Sequence, residues 1–156
     1  MTHDGNDALV TDVARDVLAE IAPDELPIFQ AASKAYFANP KAALKQTQSK
    51  DSVLGLGPDS VTLLTPAVLH IVSEVCLFLA PVATEVAKSA LAEGATEVLK
   101  GIFRRYGRKT PPVLSLEQIQ MVQAKVEAEA RKMRLPGNLA ESLTNAVIAQ
   151  LISPAE

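Results

Sequence analysis

A chain of 156 residues, 48% hydrophobic and 4% aromatic, is long enough to bury a core and too apolar to read as disordered. Its net charge of −3 gives no general attraction to nucleic acid, and a single cysteine, Cys76, excludes an intramolecular disulfide. The apolar set is mostly Ala, Leu and Val, with few aromatics and seven glycines, which favours helices over a sheet. The opening MTHDGNDALV is acidic and lacks the basic-then-apolar layout of a secretory signal, so the expected home is the reducing cytoplasm. There Cys76 serves as a small buried hydrophobe.

Asn6 or Asp7 can cap a first helix reaching about Ile21, with Val10, Val13, Val17, Leu18 and Ile21 at helical spacing and Asp12, Asp16 and Glu20 opposite. Pro23 ends it. A second helix carries Leu26, Phe29, Ser33, Tyr36 and Phe37 on one stripe, with Pro27 in its first turn. Asn39-Pro40 ends that helix and starts a short one, Lys41 to about Gln48. Residues 49–60, SKDSVLGLGPDS, form a loop with an apolar tip at Val53, Leu54 and Leu56. Gly55 and Gly57 do not make a phosphate loop, since no Gly-Lys-Ser/Thr follows them.

Val61 to Tyr106 is the stretch around which the rest is organised. Between Asp59 and Glu85 the only formally charged side chain is Glu74. Thr65-Pro66 reads as an N-cap followed by proline at the first helical position, and the helix runs to about Ala80, where Pro81 kinks or restarts it. Its polar positions, Thr62, Pro66, His70, Ser73 and Glu74, make one narrow stripe, so this helix is central in a bundle or lies in lipid. An amphipathic helix is then expected from Pro81 to Tyr106. Ala83, Ala87, Ala90 and Gly94 give it a small-residue face that lets another backbone approach, with Phe103 further along its apolar side.

Gly107 to Pro112 reads as a linker. Ser115 with Gln118 fits a capping box, opening a helix with Ile119, Val122, Val126 and Met133 on one face, and Glu127 and Arg131 are spaced for an ion pair. Leu135-Pro136-Gly137 ends it, and Asn138 with Glu141 repeats the capping signature ahead of a last helix bearing Leu139, Leu143, Val147 and Leu151. The expected fold is all-α, a compact bundle of about six or seven helices. Its expected organisation is an N-terminal bundle (1–107), a Pro-containing linker (108–114) and a C-terminal helical hairpin (115–156) in the same or a separate unit.

Two features are candidates for function. His70 and Glu74 lie four apart on one helical face inside the most apolar stretch. As a metal or acid–base pair they lack a third member: the other histidine, His3, is near the terminus, and Cys76 falls on a different face. A hydrogen-bonded polar pair lining the bundle or an interface is the expected role. The second feature is charge asymmetry. Residues 1–26 hold seven acids against Arg15, a balance of −6, while Lys100, Arg104, Arg105, Arg108 and Lys109 give residues 100–109 a balance of +5. The basic cluster reads as a solvated helix end, or as a surface for an acidic protein or anionic lipid, with Ile102, Phe103 and Tyr106 beside it. Nucleic acid is disfavoured, because no recognition motif frames the cluster.

No catalytic constellation, metal site or cofactor motif emerges from the sequence. The expectation is a non-enzymatic helical protein–protein interaction module, a small cytoplasmic adaptor or assembly component that binds itself or a partner. The alternative is a membrane-associated or membrane-perturbing protein that uses residues 61–106. Against a stable span, Thr65 to Ala80 is about 24 Å long as a helix, short of the roughly 30 Å hydrocarbon core. A longer span would place His70 and Glu74 near mid-depth, where charge is costly.

Overall fold

The computed structural model describes residues 3–48, 64–90, 99, 102–103 and 114–151. They form six α-helices and one 3-10 helix: α1 (His3–Ile21), the 3-10 helix Pro23–Ile28, α2 (Phe29–Ala38), α3 (Pro40–Gln48), α4 (Thr65–Ala90), α5 (Leu116–Lys132) and α6 (Gly137–Ala149). The protein is all-α. The one β-type pairing among these residues is an isolated antiparallel bridge between Phe103 and Leu151.

The longest helix, α4, packs against α1, α2, α3 and α5, while α6 packs against α1 and α5. The apolar stripe of α1 (Leu9, Val10, Val13, Ala14, Val17, Leu18) is buried to 2% exposure or less, and it meets Leu69, Ile71, Val72, Val75, Leu79 and Ala83 of α4 in one core. Val122 and Val126 of α5 and Leu143 and Val147 of α6 belong to the same cluster. Each such side chain contributes roughly 1.5–3 kcal/mol when fully buried. Burial therefore holds α5 and α6 to the body formed by α1 and α4.

Local chemistry explains most of the boundaries. Ala22 leaves helical geometry just before Pro23. The expected second helix starts later than its pattern implied, because Pro23–Ile28, with Pro27 inside, forms the tighter 3-10 turn and α2 begins only at Phe29. Asn39 Oδ1 accepts from the Ala42 amide at 3.2 Å and so caps α3. At α5 the Ser115 hydroxyl accepts from Gln118 N at 3.1 Å and Gln118 Oε1 accepts from Ser115 N at 2.8 Å, the reciprocal capping box.

Three expectations are corrected. Pro81 does not end the central helix, which continues to Ala90. The proline leaves the Leu77 carbonyl without its helical donor, but both residues are exposed, so water can take the vacant position. A single helix to Tyr106 does not form either, since Ile102 lies in a turn and Phe103 pairs with Leu151. At α6 the Asn138–Glu141 capping box is not used; the helix begins at Gly137 after Pro136, with no side-chain cap. The turn before it is built by Arg134, which sits at φ 60. Leu135 N donates to Ala130 O at 3.1 Å and Arg134 N to Arg131 O at 3.0 Å, which closes the end of α5 as a Schellman motif. The loop at 49–60 and the linker at 107–112 lie outside the described residues.

Candidate functional site

His70 and Glu74 do not bind each other. Both reach across to α5, where the helical period places Lys125, Glu129 and Lys132 along the facing edge. His70 Nε2 lies 3.1 Å from Glu129 Oε1, and Lys125 Nζ lies 3.4 Å from Glu74 Oε1 and 3.4 Å from Glu129 Oε2. Lys132 Nζ completes the group at 3.5 Å from Glu129 Oε2. Because an ionised carboxylate only accepts, Nε2 of His70 carries the hydrogen and donates it. The pairs 70/129 and 74/125 show that α4 and α5 run antiparallel, in step by one turn.

Glu129 is the centre of this network, its side chain 6% exposed against 24% for His70 and 28% for Glu74. Burial pushes its carboxyl up, but the hydrogen bond and charge of His70, with Lys132 and Lys125, outweigh that and hold it below the usual carboxylate range. Lys125 is raised in turn: desolvation lowers it, and Glu129 and Glu74 more than offset this. Tyr36 on α2 is raised by burial, then by Glu74 and Asp7. The network is a clamp between two helices. The nearby Cys76 is not an activated nucleophile, since it is 4% exposed and burial pushes its thiol up to about 12. Among the described residues no group of three or more His, Cys, Asp or Glu could hold a metal ion.

Further along the same seam the character changes. On α4 the stripe His70, Glu74, Leu77, Pro81 turns from polar to apolar, with Leu77 61% exposed and Pro81 exposed. One turn on from the 74/125 pair, the antiparallel register brings Phe78 level with Met121, which is 49% exposed. The exposed end of the seam thus carries Leu77 and Pro81 on α4 and Met121 on α5, with Phe78 half-buried against the core, beyond a satisfied ionic clamp.

Of the small-residue face, Ala83 is fully buried on the core side of α4, and Phe103 is fully buried at its bridge to Leu151. Gly94 and the basic cluster Lys100, Arg104, Arg105, Arg108 and Lys109 lie outside the described residues, as do the side chains of Ala87 and Ala90. Sequence reasoning missed Glu129, although one signal was present. Glu129 falls on the buried arc of α5 among Val126, Ala130 and Met133, where an acid must find partners. It also missed Glu25, 7% exposed, whose carboxylate accepts from Leu64 N at 2.8 Å, Thr65 N at 2.9 Å and the Thr65 hydroxyl at 2.7 Å. This carboxylate holds the N-terminus of α4 from the 3-10 helix. Comparison of the chain with protein-family models, with curated proteins and with solved structures finds no match.

Proposed function

We propose that the chain is a non-enzymatic helical interaction module, a small adaptor or assembly component that binds itself or a protein partner through the apolar end of the α4–α5 seam. The observation that carries this reading is Leu77, a leucine near the middle of the longest helix yet 61% exposed. A single exposed leucine is ordinary, but Pro81 lies one turn on along the same face and Met121 is exposed on the facing helix α5, and a grouped apolar patch marks an interaction surface. The acids of residues 1–26 and the basic residues of 100–109 supply charge of both signs to steer and orient an encounter.

The test places a photo-crosslinking residue at position 77, identifies the adduct by mass spectrometry, and measures self-association by sedimentation velocity. A specific adduct with a second copy or one protein partner, lost in the Met121→Glu background, supports the reading. A chain that stays monomeric at every concentration and yields no specific adduct refutes it.

A second reading, action at a membrane, is favoured by one observation: Thr65–Glu85 is long and apolar enough to cross a bilayer by length and composition, and half of its most apolar window is buried. Insertion requires α4 to leave α1, α2, α3 and α5. Flotation with anionic and neutral liposomes, with dye leakage read on the same samples, separates the two. Binding and leakage abolished by changing Lys100, Arg104 and Arg105 to Glu favour the membrane; a protein that remains unbound leaves the interaction module in front.

A further inference from the structure

Among the described residues there are two methionines, both on or at the end of α5, and the fold treats them oppositely. Met133 is 5% exposed and belongs to the core, whereas Met121 is 49% exposed. The helical period explains the difference. Met133 falls on the buried arc of Ile119, Val122, Val126 and Ala130, while Met121 stands about 100° round the helix from Val122, on the side of Lys125. Its helical neighbours Glu117, Gln120 and Ala124 are themselves exposed, so its own helix leaves the thioether open to solvent. Cys76 does not compete for an oxidant, because it is 4% exposed and burial pushes its thiol up to about 12, which leaves almost no thiolate.

A thioether and its sulfoxide make different surfaces. Hydrogen peroxide transfers one oxygen atom to the methionine sulfur: the O–O bond breaks, an S–O bond forms, the sulfur is oxidised to the sulfoxide and the peroxide leaves as water. The product is polar and accepts hydrogen bonds. Met121 bounds the open end of the α4–α5 seam, with the 61% exposed Leu77 and exposed Pro81 on the facing helix. Under an apolar partner surface a thioether gains burial, but a sulfoxide gives up water with no donor in exchange. The clamp does not supply that donor freely, since Lys125 Nζ, one turn from Met121, is already shared between Glu74 and Glu129 at 3.4 Å each.

We propose that Met121 is a reversible oxidation site that switches the docking surface at the apolar end of the seam, competent as the thioether and disabled as the sulfoxide. The switch rests on the docking reading given above. To test it, the full chain with the photo-crosslinking residue at position 77 is treated with hydrogen peroxide and quenched with catalase before any partner is added. Peptide mass spectrometry follows each methionine, and the adduct at position 77 is quantified on the same samples at sub-saturating concentration. Met121 oxidises about tenfold or more faster than Met133, and the adduct falls about tenfold as Met121 is converted. Methionine sulfoxide reductase restores both. In Met121→Leu, treated and untreated chains give equal yields. Equal oxidation rates for the two methionines, an adduct that persists when Met121 is fully converted, or a loss that remains in Met121→Leu overturns the switch and leaves the docking reading standing. No adduct from the untreated chain overturns the docking reading, and the switch falls with it.

Discussion

Replacing Glu25 tests how the start of the central helix is held. Its carboxylate accepts from Leu64 N, Thr65 N and the Thr65 hydroxyl at 2.7–3.0 Å, across 39 or 40 residues of chain. Glu25 and Thr65 are both buried, at 7% and 0% exposure. A hydrogen bond to a charged group contributes about 1.5–3 kcal/mol, and a buried donor left unpaired costs about 1–3 kcal/mol. The carboxylate also opposes the positive end of the α4 dipole, worth up to about 2 kcal/mol in a partly buried setting. These terms overlap, so together they put the cost of Glu25→Ala at about 3–5 kcal/mol. For a chain of this length that is a fall of roughly 6–20 °C in Tm at 2–4 °C per kcal/mol. Glu25→Gln keeps one acceptor but turns an amide N–H₂ toward a donor, so its cost should be smaller but still above 1 kcal/mol. Glu25→Asp is one methylene short of the helix start and should resemble the alanine variant. Urea unfolding followed by far-UV circular dichroism gives these values, and combining Glu25→Gln with Thr65→Val should show strong non-additivity. If Glu25→Ala costs less than about 0.5 kcal/mol, the level of an ordinary surface change, the carboxylate does not hold the helix start.

Arg134, at φ 60, occupies the left-handed position that closes α5, whereas a Cβ built on Gly137 meets nothing within 4 Å. Arg134→Gly should therefore stabilise the fold by up to about 1 kcal/mol, and Gly137→Ala by about 0.4–1 kcal/mol; a fall in urea midpoint in either variant contradicts the assignment. Cys76, with its thiol pushed up to about 12, has about one thiolate in 10⁴ at pH 8, so a disulfide reagent should label it at the rate of opening and far faster in urea. Rapid labelling of the native protein is the contrary result. Glu129 is depressed below the usual carboxylate value, so its stabilising contribution is complete above about pH 4.5, near its unfolded value, and is lost as pH falls through the lower native one. Glu129→Gln should destabilise the protein by about 1–3 kcal/mol at pH 7 and flatten the loss of stability as pH falls below about 4.5, whereas parallel pH curves for the two proteins would show that the clamp does not titrate with folding.

What could be read from the sequence is what depends on neighbours in the chain. The Ser115–Gln118 capping box and the Asn39-Pro40 break are interactions within a single turn, and both form where the spacing places them. Pro81 misled because the rule for proline concerns a lost hydrogen bond, whose cost depends on exposure that the sequence does not state. At 135–137 a Leu-Pro-Gly signal was visible, yet the left-handed residue is Arg134, since the hydrogen bonds to Ala130 and Arg131 determine where the turn closes. Glu25 gave no signal, for its partners lie about 40 residues away and the nearest charges in its own stretch, Glu20 and Asp24, are acids like it.

The candidate site follows the same division. A polar stripe on an apolar helix was legible, and so was the placing of His70 and Glu74 on one side of it. Their partners were not, because two acceptable explanations, a pair closed within the helix and two links to another helix, have the same spacing. Distance decides between them: His70 and Glu74 each bond to α5, which leaves the stripe satisfied at its polar end and open only from Leu77 onward. This ordering bears on function. If α4 were to enter a membrane, His70 and Glu74 would lose Glu129 and Lys125 as the apolar end gained lipid, and an unpaired charge at depth costs several kcal/mol. A protein partner that covers Leu77, Pro81 and Met121 gains apolar burial and leaves the clamp intact. The interaction reading thus requires no rupture of the seam, whereas the membrane reading must break it. Lys125→Ala, which removes the link to Glu74, should promote liposome binding if insertion is the function and leave partner crosslinking at position 77 unchanged if docking is.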